Sequence, residues 1–137
     1  MDPQAFHLDL GMTKQRVVER LKSDGLTTEA GKEPNHLIVQ YDEGKTITLA
    51  FRRNRLESAR FELVGFIPTV KEAFAEQQQL LARKRGDPTR SIAKPTLLTW
   101  EDKRPHITVV MSTTRETSFG QQGLGFLVVR YFVPAPR

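Results

Sequence analysis

Cysteine is absent from this chain of 137 residues, and with it go disulfides, thiolate catalysis, zinc–thiolate sites and any lipidated cysteine within the sequence itself. Histidine is scarce. The three present, His7, His36 and His106, are scattered, with no His-x-x-x-His pair where a helix is expected, so neither a metal site nor a cofactor is expected. No apolar run approaches the roughly 20 residues of a membrane span. Met1-Asp2-Pro3-Gln4-Ala5 also lacks the basic, apolar and small-residue succession of a signal peptide. The chain is therefore expected to be soluble and without a transmembrane segment. Its expected location is periplasmic or extracytoplasmic if a signal peptide has been removed ahead of it, and cytoplasmic otherwise. Enzyme signatures are missing too: there is no Gly-x-Ser-x-Gly, no His-Glu-x-x-His and no Walker lysine. The glycine-rich run 120–125 precedes a strand, whereas a phosphate-cradling loop must open a helix. No catalytic residue is assigned.

What is present fits one domain spanning 1–137, long enough to bury roughly two-thirds of its unfolded surface without a staple. Lys and Arg number 21 against 16 Asp and Glu, a formal charge of +5. That mild basicity suits an acidic protein partner, a nucleic acid or an anionic surface, and equally suits solubility alone.

The best-marked stretch is Leu8 to Gly25. Thr13 is a good N-cap, Met12 ahead of it can staple to Val17, and Gly25 can take the left-handed position that closes a helix, with Leu26 set against Leu21. Only Val17, Val18 and Leu21 are apolar between the caps, so this helix needs a sheet to cover its stripe. A polar loop from Thr27 to Asn35 follows. Strands are then expected at Leu37–Tyr41, Thr46–Arg52 and Leu56–Val64, joined by the turns Asp42-Glu43-Gly44-Lys45 and Arg53-Asn54-Arg55. Alternation puts Ile47, Leu49, Phe51, Ala59, Phe61 and Leu63 in the core. A break at Gly65–Pro68 precedes a second helix, opened by a capping box of Thr69 and Glu72 and closed by Gly86-Asp87-Pro88. Its inward stripe is Val70, Ala73, Phe74, Gln77 and Leu81. Strands at Thr96–Glu101, His106–Ser112 and Leu124–Val133 complete the chain, with a polar loop running to Gly123.

Helix, strand, strand, strand thus occurs twice, in pseudo-repeats of about 8–65 and 66–133. Thr13 aligns with Thr69, Leu37 with Leu97 and Thr46 with His106, with little identity, so the repeat is one of pattern. The expected fold is α+β and two-layered: a mostly antiparallel sheet with both helices on one face, the other face left free.

Several residues are candidates for function. Arg52, Arg53, Arg55 and Arg60 cluster at one hairpin, and Arg83, Lys84, Arg85 and Arg90 at one helix end; either cluster can hold an anion. Trp100 and Tyr131 are the candidates for exposed aromatics, and Trp100 either anchors a partner or fills the core beside Leu98. His106 with Thr108 forms a histidine and hydroxyl on one strand face, half of what a two-histidine phosphoesterase needs. The only candidate for the other half, His36-Leu37-Ile38, lacks the hydroxyl.

Gly11-Met12-Thr13, followed by Val17 and Leu21, resembles the small envelope module of outer-membrane assembly lipoproteins of the BamE (SmpA/OmlA) type and, in duplicated form, of the β-lactamase-inhibitor-like proteins. The hairpin from Leu49 to Leu56 belongs to the same resemblance, which covers about the first 55 residues. Two features depart from that pattern: Lys22-Ser23-Asp24-Gly25 adds about a turn where the family commonly has Gly-x-Pro, and the second half has no Gly-Met-Thr. The resemblance implies a noncatalytic binding domain of the cell envelope that recognises another protein through its free sheet face. Arg52, Arg60, Trp100 and Thr108 are the expected partner contacts. The alternatives are a basic nucleic-acid-binding domain and a divergent two-histidine phosphoesterase.

Overall fold

The computed structural model describes residues 1–93, 96–113 and 123–134. A short 3₁₀ turn, Pro3–Phe6, leads into helix α1, Lys14–Ser23. Strands β1 (Glu29–Ala30), β2 (His36–Asp42), β3 (Lys45–Arg52) and β4 (Arg55–Phe66) follow, then helix α2 (Ile67–Arg85). Strands β5 (Arg90–Ile92), β6 (Thr96–Trp100), β7 (His106–Thr113) and β8 (Leu124–Phe132) complete one antiparallel sheet of order β1-β2-β3-β4-β8-β7-β6-β5. The order reads alike from either edge to the centre. Each half contributes a helix and four strands, and the two halves meet where β4 pairs with β8. The repeated pattern seen in the sequence therefore has a matching topology, with β1 and β5 as additional short edge strands that two or three residues could not announce.

The fold class is the expected one, α+β in two layers. Both helices cover the same face. Val17 and Leu21 of α1 and Val70 and Leu81 of α2 share one buried cluster with Ile47, Leu49, Phe61, Val109, Leu127 and Val129. Alternation along the strands produces this directly, because every second residue points to the helices and the register aligns those residues across strands.

Local signals at the first helix are obeyed. The Thr13 hydroxyl accepts the Arg16 amide at 3.4 Å. At the other end Leu26 donates to the Leu21 carbonyl and Gly25 to that of Lys22, the paired bonds of a Schellman closure, with Gly25 at φ 77°. The Gly11-Met12 lead-in is also pinned to the sheet. Gly11 donates to the Leu56 carbonyl and Leu56 donates to that of Met12, both at 2.8 Å.

The second helix starts differently from expectation. α2 begins at Ile67, directly out of β4, with Phe66 as an N-cap that makes no side-chain bond. Thr69 and Glu72 therefore form no capping box. Proline at the second helical position needs no hydrogen-bond acceptor there, Ile67 is buried, and the Ile67 amide is satisfied by the Gly123 carbonyl at 3.0 Å. The residue alignment between halves fails in a similar way: Leu37 faces the core opposite Leu49, whereas Leu97 faces away from it, opposite Val110. Of the glycine-rich run 120–125, residues 120–122 lie outside the described residues, while Leu124 and Gly125 open β8.

The core contains a polar network. Gln77 donates through Nε2 to the Tyr131 hydroxyl at 3.0 Å and to the Met1 carbonyl at 3.2 Å, and the Tyr131 hydroxyl donates to the same carbonyl at 2.7 Å. Burial, reinforced by the Asp2 carboxylate, pushes the Tyr131 phenol well above its ordinary range, against the opposing effects of Gln77 and Arg85.

Candidate functional site

The face of the sheet away from the helices has no covering layer among the described residues, and its side chains form rows across the strands. One row runs Ile38, Thr48, Arg60, Arg130, Thr108, Thr99 and Arg90, each residue directly opposite the next. Arg60 and Thr108, singled out separately in the sequence, are thereby brought to either side of Arg130. The pairing of β4 with β8 brings Arg60 there across the two halves, and the pairing of β7 with β8 brings Thr108.

Arg60 and Arg130 stand opposite each other at the centre of the face. Arg60 Nε contacts Glu62 Oε1 at 2.9 Å. Arg130 Nε donates to Ser58 Oγ at 3.0 Å, and its guanidinium lies 4.3 Å from the centre of the Phe132 ring. His106 packs edge-on against the same ring.

Further along the same strands the face becomes apolar. Val64 lies opposite Phe126 and Phe66 opposite Leu124, and these four are 55%, 43%, 55% and 51% exposed. A groove of about 340 Å³ extends from Arg60 and Glu62 past Val128 to Val64, Phe126 and Leu124. These apolar residues escaped the sequence reading because both parities of β8 are apolar. Leu127, Val129 and Tyr131 alternate with Leu124, Phe126, Val128 and Phe132, and alternation alone cannot say which set is covered.

Two expectations are corrected here. Trp100 is completely buried on the helix side, where its indole donates to the Gly86 carbonyl at 3.1 Å; it fills the core and does not belong to the free face. Tyr131 is likewise buried in the core network. Among the described residues the exposed aromatics are Phe66 and Phe126 instead.

The arginine clusters divide. Arg52 lies at the tip of the β3–β4 hairpin and, with Arg53 and Arg55, rims an apolar hollow floored by Leu10, Leu56 and Val133, whereas Arg60 belongs to the central row. At the end of α2, Arg85 is turned inward with its side chain only 12% exposed. It donates to the carbonyls of Lys103 and Pro105, and Lys84 pairs with Asp2 at 3.0 Å. Half of that second basic cluster is therefore engaged in holding the fold.

The two histidines of the phosphoesterase reading are separated by the sheet itself. His36, Ala50, Ser58, Phe132 and His106 form one row. Four strand spacings place the two histidines about 19 Å apart, too far to act on one phosphate. Among the described residues no three histidine, aspartate or glutamate side chains converge as a metal site would require, and no helix is long and apolar enough to cross a membrane.

The fold and this face together define a two-layer α+β domain with one sheet surface that is partly apolar and, among the described residues, uncovered. Comparison of the chain with protein-family models, curated proteins and solved structures gives no match.

Proposed function

We propose that this protein is a noncatalytic binding domain that engages another protein through the uncovered face of its sheet. The observation that carries the reading is the cluster of Val64, Phe66, Leu124 and Phe126, large apolar side chains about half exposed and adjacent across two strands. Contiguous apolar surface of this kind is costly to leave in water and marks a surface that is covered in use. Mixed with the arginine row beside it, it has the composition of an interface: an apolar centre, aromatics and arginine. The resemblance carried by Gly11-Met12-Thr13 supports an envelope compartment, periplasmic or extracytoplasmic, if a signal peptide has been removed ahead of the sequence.

Photo-crosslinking tests this. A photoreactive phenylalanine analogue is placed at Val64 or at Phe126 on the open face and, as a control, at Glu19 on α1, and the protein is exposed to envelope extract. Open-face positions should yield a discrete protein adduct absent from the Glu19 control, and the adducted protein, once purified, should bind the unmodified domain with one-to-one stoichiometry. Equal labelling from both faces, or adducts formed with RNA in preference to protein, would refute the reading.

A further inference from the structure

We infer that the open face is built to receive a protein segment that presents a carboxylate beside an apolar side chain. The inference rests on the protein-binding reading above and specifies the chemistry of the partner.

Its first support is the pair of arginines at the centre of the face. Arg60 and Arg130 are directly opposite in register, which sets their Cβ atoms about 5 Å apart, a placement that is repulsive for like charges. Each is held through Nε, Arg60 by the Glu62 carboxylate and Arg130 by the Ser58 hydroxyl with Phe132 beneath it. Their terminal nitrogens have no other hydrogen-bond partner among the described residues. Arg60 leans along β4 toward Glu62 and Arg130 leans the other way, over Phe132 and Ser58, so each guanidinium presents its terminal nitrogens separately, suited to charge-assisted hydrogen bonds with a carboxylate. Thr48 and Thr108 flank the pair in the same row and offer hydroxyl donors on either side. Among the described residues of the row and groove the one carboxylate is that of Glu62, which pairs with Arg60 and not with Arg130, leaving a net positive centre.

The second support is the groove that leaves this centre. Val64 lies four residues beyond Arg60 along β4, opposite Phe126, so apolar surface begins about 13 Å from the arginine pair. A ligand that fills both places must carry an acidic group and an apolar side chain on one extended or helical segment. A nucleic acid fits less well. Phe66 and Phe126 offer rings for stacking, but among the groove's described residues Arg60 is the only cation and Glu62 stands beside it, so a backbone charged at every step would lie along uncompensated surface.

Titration of the full chain by NMR, following the Nε–H signals of Arg60 and Arg130 and the amides of Val64 and Phe126, tests this. The probes are a short synthetic peptide with glutamate and leucine four residues apart, the same peptide with glutamine for glutamate, and an oligouridylate. The glutamate peptide should give saturable shifts at all four positions. Affinity should fall at least tenfold with the glutamine peptide and in Arg60→Gln and Arg130→Gln, while Trp100 fluorescence in both variants shows the fold intact. No saturable binding of the glutamate peptide, or equal binding of the two peptides, would overturn the carboxylate inference. A crosslinked protein partner that bound the wild type and Arg130→Gln alike would overturn it too, while leaving the protein-binding reading in place. Oligouridylate binding at the same signals more tightly than either peptide would remove both.

Discussion

Removing the Tyr131 hydroxyl isolates the energetic role of the polar network formed inside the core by Gln77, Tyr131 and the Met1 carbonyl. In Tyr131→Phe the ring and its edge-to-face contact with Phe61 remain, and two hydrogen bonds are lost: the one it donates to the Met1 carbonyl at 2.7 Å and the one it accepts from Gln77 at 3.0 Å. Each such bond is worth about 0.5–1.5 kcal/mol net, for a sum of about 1–3 kcal/mol. Gln77 keeps its own bond to Met1 at 3.2 Å and is not orphaned, which argues for the middle of that range, about 1.5 kcal/mol. For a chain of this size the melting temperature should fall by roughly 5 °C. Gln77→Leu should cost about 1 kcal/mol, and the double variant should cost less than the two single costs added together, because the bond between Gln77 and Tyr131 is lost in each single variant and so is counted twice in the sum. Urea denaturation measures all three, with the lone tryptophan, fully buried Trp100, as fluorescent reporter. Strict additivity, or a Tyr131→Phe effect below about 0.5 kcal/mol, would refute the network as a stabilising unit.

The same phenol makes the stability depend on alkaline pH with a definite sign. Its folded pKa lies above its unfolded value near 10, so above that pH the unfolded chain has lost a proton that the folded one keeps, and ∂ΔG/∂pH is negative. The contribution is whole below about pH 10 and lost as pH rises beyond it. Wild type should therefore lose stability faster than Tyr131→Phe in that window. Tyr41, also raised by burial, is present in both proteins and cancels in the comparison.

Trp100→Ala should destabilise by about 3–5 kcal/mol through cavity formation, aggravated by loss of the indole bond to Gly86; thermal unfolding followed by circular dichroism checks this, and a loss under about 1 kcal/mol would contradict its central position. Gly44→Ala should cost about 1–3 kcal/mol, since φ is 69° and an added Cβ would lie 2.5 Å from the Val64 carbonyl oxygen; chemical denaturation reports it, and a neutral result would mean that the β2–β3 turn relaxes at no cost. Val64→Ser and Phe126→Ser should each change folding stability by less than about 1 kcal/mol, because both side chains are about half exposed, yet abolish the crosslinks expected from the open face. Substantial unfolding in either would place those residues in the folding core instead.

The sequence by itself determined what local chemistry can determine. Thr13 and Gly25 bound the first helix because a cap and a left-handed closure need only neighbouring residues. Period-two alternation in β3 and β4 assigned Ile47, Leu49, Phe51, Ala59, Phe61 and Leu63 to the core, and the doubled order of helix and strands predicted two layers with helices on one side. Where local signals competed, the reading failed: the Thr69 and Glu72 pair looked like a cap, but burial of Ile67 and a proline at the second position move the N-cap three residues back, from Thr69 to Phe66. In β8 both parities are apolar, and only the pairing with β4 and β7 decides that Tyr131 goes inward and Phe126 outward. The site lay wholly beyond local reach. Arg60 and Arg130 are 70 residues apart in the chain and neighbours only because the two halves join at β4 and β8. Helix caps and alternation are properties of adjacent residues, whereas a row across a sheet is a property of register, and the packing of the whole domain sets register.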